Sequence, residues 1–126
     1  MLEKTFQKKV LAKLRLLAAS WVVKLNDATT IGLPDIFLVV GSKAFAIELK
    51  TKSKLSEIQF ATLQKMERAG IETFVATPAN FNEILVYIQG HANGTPERSQ
   101  RPARFPEWVL PISIKKKIRE SLKGAI

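Results

Sequence analysis

The stretch that decides the fold covers residues 32–50 and reads GLPDIFLVVGSKAFAIELK. It contains two apolar runs, residues 36–40 and residues 44–49, separated by Gly-Ser-Lys. Two strand-forming runs around a short turn that contains glycine predict a β-hairpin. An aspartate precedes the first run, and a glutamate and a lysine stand at the end of the second. The hairpin therefore gathers charged residues at one end of an otherwise apolar pair of strands.

The segments on either side of the hairpin predict an α/β fold. We predict the bounds of these segments from the spacing of apolar residues, from turn residues and from the capping box Ser56-Glu57-Ile58-Gln59. The predicted elements are a helix over 2–19, a strand over 21–25 with a turn over 26–30, a helix from 56 that Gly70 ends, a strand over 72–76, and a helix from Asn80 to about Gln89. The order α-β-β-β-α-β-α places the last strand after a helical crossover. We therefore expect a mixed central sheet flanked by helices.

The composition changes beyond the last of these helices. Residues 90–106 are rich in Gly, Pro, Asn, Ser and Arg, which predicts a linker or a partly mobile loop. Residues 111–124 have apolar residues at steps of four, interleaved with Lys and Arg, and predict a basic amphipathic helix. We divide the chain into a core over residues 1–90 and an extension over residues 91–126, which either belongs to the same domain or makes a dimer contact.

The charge of the chain indicates a polyanionic partner. The 126 residues include 20 Lys and Arg against 11 Asp and Glu, a net charge of +9. Residues 1–15 hold five bases and one acid, and residues 98–126 hold eight bases and two acids, so the excess lies at the two ends. Nucleic acid is the first partner to expect from such an excess, and an anionic membrane the second.

Several classes of protein are excluded by composition. The absence of cysteine excludes a disulfide scaffold, a thiolate zinc site and a cysteine nucleophile. The single histidine, His91, excludes a site with two imidazole ligands, and its turn-like context predicts a solvated side chain. No apolar run approaches the roughly 20 residues of a membrane span, so we expect a soluble, cytoplasmic protein.

Three charged residues of the hairpin are candidates for chemistry. Glu48 and Lys50 are two apart on one strand and share a face, and pairing within the hairpin brings Asp35 beside Glu48. Two close carboxylates repel each other unless a proton or a cation lies between them. Oxygen ligands favour Mg²⁺ or Mn²⁺, and a nearby lysine can stabilise charge on a phosphoryl oxygen. The alternative is a solvent-side ion pair between Glu48 and Lys50, worth about 0–1 kcal/mol, with Asp35 as a turn residue or cap.

The order of these residues resembles a nuclease superfamily. Gly32-Leu33-Pro34-Asp35, then Glu48-Leu49-Lys50 after a hairpin, then Gln59 in the next helix is similar to the PD-(D/E)xK nucleases. Residues 32–78 are most similar to the VRR-NUC (virus-type replication-repair nuclease) domain, and next to archaeal Holliday-junction resolvases. The resemblance covers residues 3 to about 78 and implies a restriction-endonuclease-like core. It also implies a Mg²⁺-dependent endonuclease that hydrolyses phosphodiester bonds in branched DNA, such as four-way junctions or flaps.

The resemblance assigns roles to individual residues. Asp35 and Glu48 would bind the divalent metal, with the main-chain carbonyl of Leu49 as a further ligand. Lys50 would activate the attacking water or stabilise the transition state. These families also place a glutamate in the first helix near the metal, and Glu3 is the residue that can fill that position here.

Other residues keep two interpretations. Gln59 either lines the site beside Lys50 as a catalytic residue or only caps its own helix. Lys52 and Lys54 are candidates for phosphate contacts, and the alternative is a solvated loop. The basic C-terminal helix can contact DNA, another subunit or an anionic membrane, and DNA is favoured because the rest of the sequence points to it.

A nuclease of this size that cuts symmetric junctions is expected to act as a homodimer, with one site for each strand. Its partner is DNA rather than a membrane, and its location is cytoplasmic, including that of a virus-encoded enzyme acting in a host cell. The alternative function is a non-catalytic nucleic-acid-binding module that retains the nuclease fold.

Overall fold

The computed structural model describes residues 2–25, 31–94 and 100–124 and has an α/β fold. Its elements in chain order are α1 (Glu3–Arg15), β1 (Ser20–Lys24), β2 (Ile36–Val40), β3 (Lys43–Leu49), α2 (Glu57–Arg68), β4 (Glu72–Ala76), α3 (Phe81–Ala92) and α4 (Ile112–Gly124). A 3-10 turn over Glu107–Val109 precedes α4. The predicted order of helices and strands is confirmed. The turn expected over residues 26–30 lies outside the described residues.

The four strands form one mixed sheet in the order β1-β2-β3-β4. β2 pairs antiparallel with β1 on one side and with β3 on the other. β4 pairs parallel with β3 after the crossover through α2. Gly41 and Ser42 have φ angles of 55° and 67°, as a two-residue type I′ turn requires. The predicted hairpin is confirmed, and its register pairs Ile36 with Ile47.

Different layers cover the two faces of the sheet. α1 and α3 pack on the face that carries the large side chains of β2 and β3, with residues such as Phe6 and Ile84. α2 packs on the other face, where Leu63 contacts Val75 of β4. Because side chains alternate along a strand, Glu48 points to the face of α2. The chemistry-bearing end of β3 therefore meets the start of α2.

The first helix is shorter than predicted. The prediction of a helix over 2–19 is wrong at its end, because α1 ends at Arg15. Ala19 has a φ of 53°, and the Ser20 hydroxyl donates to the Leu17 carbonyl at 2.7 Å. This tight turn reverses the chain into β1.

The third helix also differs from its prediction. α3 continues through Gly90 to Ala92, beyond the predicted end at Gln89. Asn80 stands at its N-cap position but does not cap it with its side chain. Its Oδ1 accepts from the main-chain N–H of Thr77 at 2.7 Å, and its Nδ2 donates to the Val75 carbonyl at 3.0 Å. Asn80 therefore fixes the exit of β4 instead of the start of α3.

The single histidine is not solvated, so that expectation is wrong. His91 lies in the last turn of α3, and its side chain is 15% exposed. Its ring packs edge-to-face on Phe45 and Tyr87, at centroid distances of 5.2 and 5.1 Å. Nε2 is 3.8 Å from Glu72 Oε2. The extra turn of α3 turns a predicted loop residue into a packing residue.

Part of the segment expected to be a linker is bound to the sheet and to α2. The Val75 N–H donates to the Arg104 carbonyl at 2.8 Å, and Val109 is fully buried beside Leu55. Arg101 Nη2 and Arg104 Nε lie 2.8 and 3.0 Å from Glu67 Oε1. Arginines that read as part of a basic tail therefore bind this part of the chain to α2 and β4.

The Glu67 carboxylate is held in its charged form. Burial would raise the pKa of Glu67, but hydrogen bonds from Arg101 and from the main chain of Thr73 lower it to about 2. Its ion pairs therefore persist through the ordinary pH range.

In the described ranges, no helix has the length and apolar character needed to cross a membrane.

The attachment of the C-terminal segment predicts a difference between two valines. We expect Val109→Ala to lower the free energy of unfolding by about 1.5–3 kcal/mol, because the side chain is fully buried. Val86→Ala removes the same atoms from a residue that is 68% exposed, and should change the free energy of unfolding by less than about 0.5 kcal/mol. Urea denaturation measures both values. Equal losses in the two variants would show that residues 100–110 are not part of the core.

Candidate active site

The hairpin register places Asp35 and Glu48 at the same end of the sheet. Asp35 comes directly before β2, and its Oδ2 accepts a hydrogen bond from the Leu49 N–H at 2.8 Å. Since Ile36 pairs with Ile47, the next positions outward on the two strands are Asp35 and Glu48. The bond to Leu49 fixes the first carboxylate against the end of β3.

Glu48 and Lys50 form a buried pair. Glu48 is 4% exposed and Lys50 is 8% exposed. Lys50 Nζ lies 3.5 Å from Glu48 Oε2. The alternative of a solvent-side ion pair is therefore wrong. A buried charge destabilises the fold unless its surroundings compensate it, so burial of these two ionisable groups is not accounted for by a contribution to stability.

The surroundings of Glu48 favour its protonated form. Burial raises the pKa of Glu48 first, the neighbouring Asp35 raises it further, and Lys50 lowers it, with a result of about 8. One lysine therefore does not balance two adjacent carboxylates in this pocket. At neutral pH Glu48 therefore holds a proton unless another cation takes the place of that proton.

Gln59 caps α2 and also contacts Glu48, and its catalytic role stays a prediction. Its Oε1 accepts from the Ser56 N–H at 3.0 Å, and its main-chain N–H donates to Ser56 Oγ at 3.1 Å, which completes the capping box. Its Nε2 donates to Glu48 Oε2 at 3.0 Å. The helix cap and the orientation of the buried carboxylate are thus one arrangement.

The residues present fit a hard divalent cation. Asp35 and Glu48 supply two carboxylates, and the Leu49 carbonyl would be the further oxygen that the resemblance to the PD-(D/E)xK nucleases implies. A cation between the carboxylates would lower the raised pKa of Glu48 and would allow both groups to stay ionised. Among the residues that the structure describes, no group of three or more His, Cys, Asp or Glu side chains can hold a metal. Mg²⁺ commonly retains several waters and binds through one or two carboxylates, so a two-carboxylate site is compatible with it.

The remaining predicted site residues lie outside this cluster. Glu3 is exposed in the first turn of α1 and does not complete a three-carboxylate group with Asp35 and Glu48. Lys52 and Lys54 are exposed in the segment between β3 and α2. Lys54 Nζ donates to the Trp108 carbonyl at 2.6 Å. The metal role of Glu3 and the phosphate roles of the two lysines stay predictions.

The structure adds a contact that the sequence did not indicate. The Ser113 hydroxyl of α4 donates to Glu57 Oε1 in the first turn of α2 at 2.6 Å. The two residues are 56 positions apart, and no local pattern links them. Short-range periodicity could not have found this attachment of α4.

Comparison of the chain with protein-family models, with curated proteins and with solved structures gave no match. The functional interpretation therefore depends on the residues and on the geometry described above.

The raised pKa of Glu48 predicts how stability changes with pH in the absence of divalent metal. The unfolded chain releases this proton near the ordinary value of 4.5, whereas the folded protein keeps it to about 8. The stabilisation is therefore complete below about pH 4.5 and is lost as the pH rises through about 8. We expect Glu48→Gln, which mimics the protonated form, to remove this loss and to be more stable than the wild type at pH 8.

Urea denaturation in EDTA between pH 5 and pH 8.5 checks this expectation. Glu83→Gln on the exposed side of α3 is the matched control and should follow the wild-type dependence. If Glu48→Gln and the wild type lose stability in parallel over this range, the description of a buried, proton-holding carboxylate is wrong.

Proposed function

We propose that this chain is a metal-dependent nuclease that hydrolyses phosphodiester bonds in DNA. The observation that carries the proposal is the buried Glu48 carboxylate, held against Lys50 and Gln59 beside the carboxylate of Asp35. Two adjacent carboxylates with a lysine form a set suited to a divalent cation and a phosphoryl oxygen. The net charge of +9 supports a polyanionic substrate.

The proposal includes the restriction-endonuclease-like core and the relation to the VRR-NUC domain. Three antiparallel strands followed by a helix and a parallel strand support it, because this order places the end of β3 beside the start of α2. The sequence motif supplies the rest of the argument. Gly32-Leu33-Pro34-Asp35, Glu48-Leu49-Lys50 and Gln59 occupy the positions that the resemblance requires.

Asp35 and Glu48 would hold Mg²⁺ or Mn²⁺ together with the Leu49 carbonyl. When bound, the cation polarises the phosphoryl oxygen and lowers the pKa of a coordinated water. Gln59 keeps the Glu48 side chain in one orientation, since it donates to Oε2 while its own carbonyl is occupied by Ser56. Asp35 is oriented by the Leu49 N–H in the same way.

Lys50 supplies positive charge where the phosphate becomes more negative. In hydrolysis the attacking water gives up one proton and its oxygen forms a bond to phosphorus. The bond from phosphorus to the leaving oxygen breaks, and that oxygen takes up a proton. The Lys50 ammonium is shielded from solvent, so its interaction with a phosphoryl oxygen is stronger than it would be in water. Glu48 holds Nζ at 3.5 Å and limits where the ammonium can lie.

The preferred substrate and the assembly form part of the same proposal. Branched DNA, such as a four-way junction or a flap, follows from the resemblance to junction-resolving nucleases. A homodimer would place one site on each of two strands. Lys52 and Lys54 lie exposed just beyond the site, where they can contact a phosphate.

Cleavage assays test the proposal directly. We expect Mg²⁺- or Mn²⁺-dependent cleavage of a four-way junction or flap, and none in EDTA. Asp35→Asn, Glu48→Gln and Lys50→Met should each lower the rate by at least roughly 100-fold, because each removes a charge that contacts the cation or the phosphate. Glu83→Gln removes an exposed carboxylate from α3 and should cleave like the wild type.

Equal rates in the wild type and in all three site variants would contradict the proposal. If the protein binds DNA but neither cleaves it nor binds Mn²⁺, the result would instead support the non-catalytic module that retains the nuclease fold.

A further inference from the structure

The basic helix α4 is attached beside the candidate active site. Ser113 contacts Glu57 of α2, and the Leu55 N–H donates to the Val109 carbonyl at 2.8 Å. Lys54 Nζ donates to the Trp108 carbonyl at 2.6 Å. Lys54 is four residues beyond Lys50, so their Cα atoms are at most about 14 Å apart. These bonds hold the start of α4 next to the segment that leaves the site.

One face of α4 carries a row of cations. Lys115, Arg119 and Lys123 are spaced by four residues, which places them along one side of the helix. The row extends for about 12 Å at a rise of 1.5 Å per residue. It begins at Lys115, in the turn of α4 next to its contact with α2.

The first cation of this row faces Lys54. Partial desolvation lowers the pKa of Lys54, and the positive charge of the neighbouring Lys115 lowers it further. Glu107 offsets part of this repulsion but does not remove it. Two neighbouring ammonium groups gain stability from an anion placed between or beside them.

The other basic end of the chain has a different position. α1 packs on the face of the sheet opposite to the one that Glu48 occupies. Its exposed bases include Lys8, Lys9 and Arg15. Both ends of the sequence are similarly basic, but the fold places α4 in contact with the N-terminus of α2 and α1 on the opposite face of the sheet.

We propose that Lys54, Lys115, Arg119 and Lys123 form a cationic track that binds the DNA backbone on one side of the scissile phosphate. The inference rests on the proposed function, since it takes the substrate from it. At 3.4 Å of helix axis per nucleotide of a strand, a 12 Å row corresponds to about three to four nucleotides. A nucleic acid fits better than a membrane surface, because the track starts at Lys54, outside α4 and next to the site.

Salt-dependent binding in EDTA tests the track without requiring cleavage. Fluorescence anisotropy with a labelled DNA duplex gives the slope of log K against log salt concentration. The triple variant Lys115→Gln, Arg119→Gln, Lys123→Gln should reduce this slope by about 3, since each lost phosphate contact removes about 0.9. The matched triple variant Lys8→Gln, Lys9→Gln, Arg15→Gln has the same net charge and should change the slope by less than about 1.

Equal reductions in the two triple variants would overturn the track, because net charge alone would then explain binding. An unchanged slope in the α4 variant would overturn it as well. Loss of binding to phosphatidylserine vesicles with no change in DNA binding would assign α4 to a membrane surface instead.

A cleavage measurement separates this inference from the proposed function. The α4 triple variant should raise KM for the four-way junction or flap and leave Mn²⁺-dependent hydrolysis of thymidine 5′-(p-nitrophenyl) phosphate unchanged, because that small phosphodiester does not reach the track. Unchanged KM for DNA with normal cleavage would reject the track and keep the nuclease. An α4-dependent salt slope in a protein that never cleaves would keep the track and reject the nuclease.

Discussion

The Glu48 carboxylate is buried at the end of an apolar strand, and its charge requires a counter-charge. Lys50 at 3.5 Å provides one positive charge, but Asp35, directly before the adjacent strand, adds a second negative one. Burial first, and then this imbalance of charge, raise the pKa of Glu48 to about 8. A domain that served only to fold could place an apolar residue at this position and avoid the cost. The retained carboxylate is therefore the feature that indicates chemistry, and the surrounding contacts serve to hold it in one geometry.

Those contacts connect the site to the rest of the molecule in a short chain. Gln59 binds Glu48 and closes the capping box of α2, so the start of this helix and the orientation of the carboxylate are fixed together. The same start of α2 receives Ser113 of α4 through Glu57. The segment before α4 is in turn bound to β4 through Arg104. The C-terminal residues thus support the helix that supports the site, and they bring a row of cations next to it.

The sequence predicted the hairpin, the capping box and the convergence of Asp35 with Glu48, because each depends on local patterns: a glycine turn, a four-residue motif and an alternating strand. It did not predict the extra turn of α3 that buries His91, since Gly90 is a weak helix former and tertiary packing compensates for it. It also could not assign Arg101 and Arg104 to Glu67. Those ion pairs join residues more than 30 positions apart, and nothing in the local composition distinguishes a structural arginine from a solvated one.

The central claim is that Asp35 and Glu48 share one site in which a divalent cation replaces a proton. Titration calorimetry with Mn²⁺ at pH 7, repeated in buffers of different ionisation enthalpy, measures binding and proton release together. The account predicts one class of sites in the wild type, release of close to one proton for each Mn²⁺ bound, and loss of that class in both Asp35→Asn and Glu48→Gln. Mn²⁺ binding that persists unchanged in Glu48→Gln, or no binding by the wild type, would contradict it.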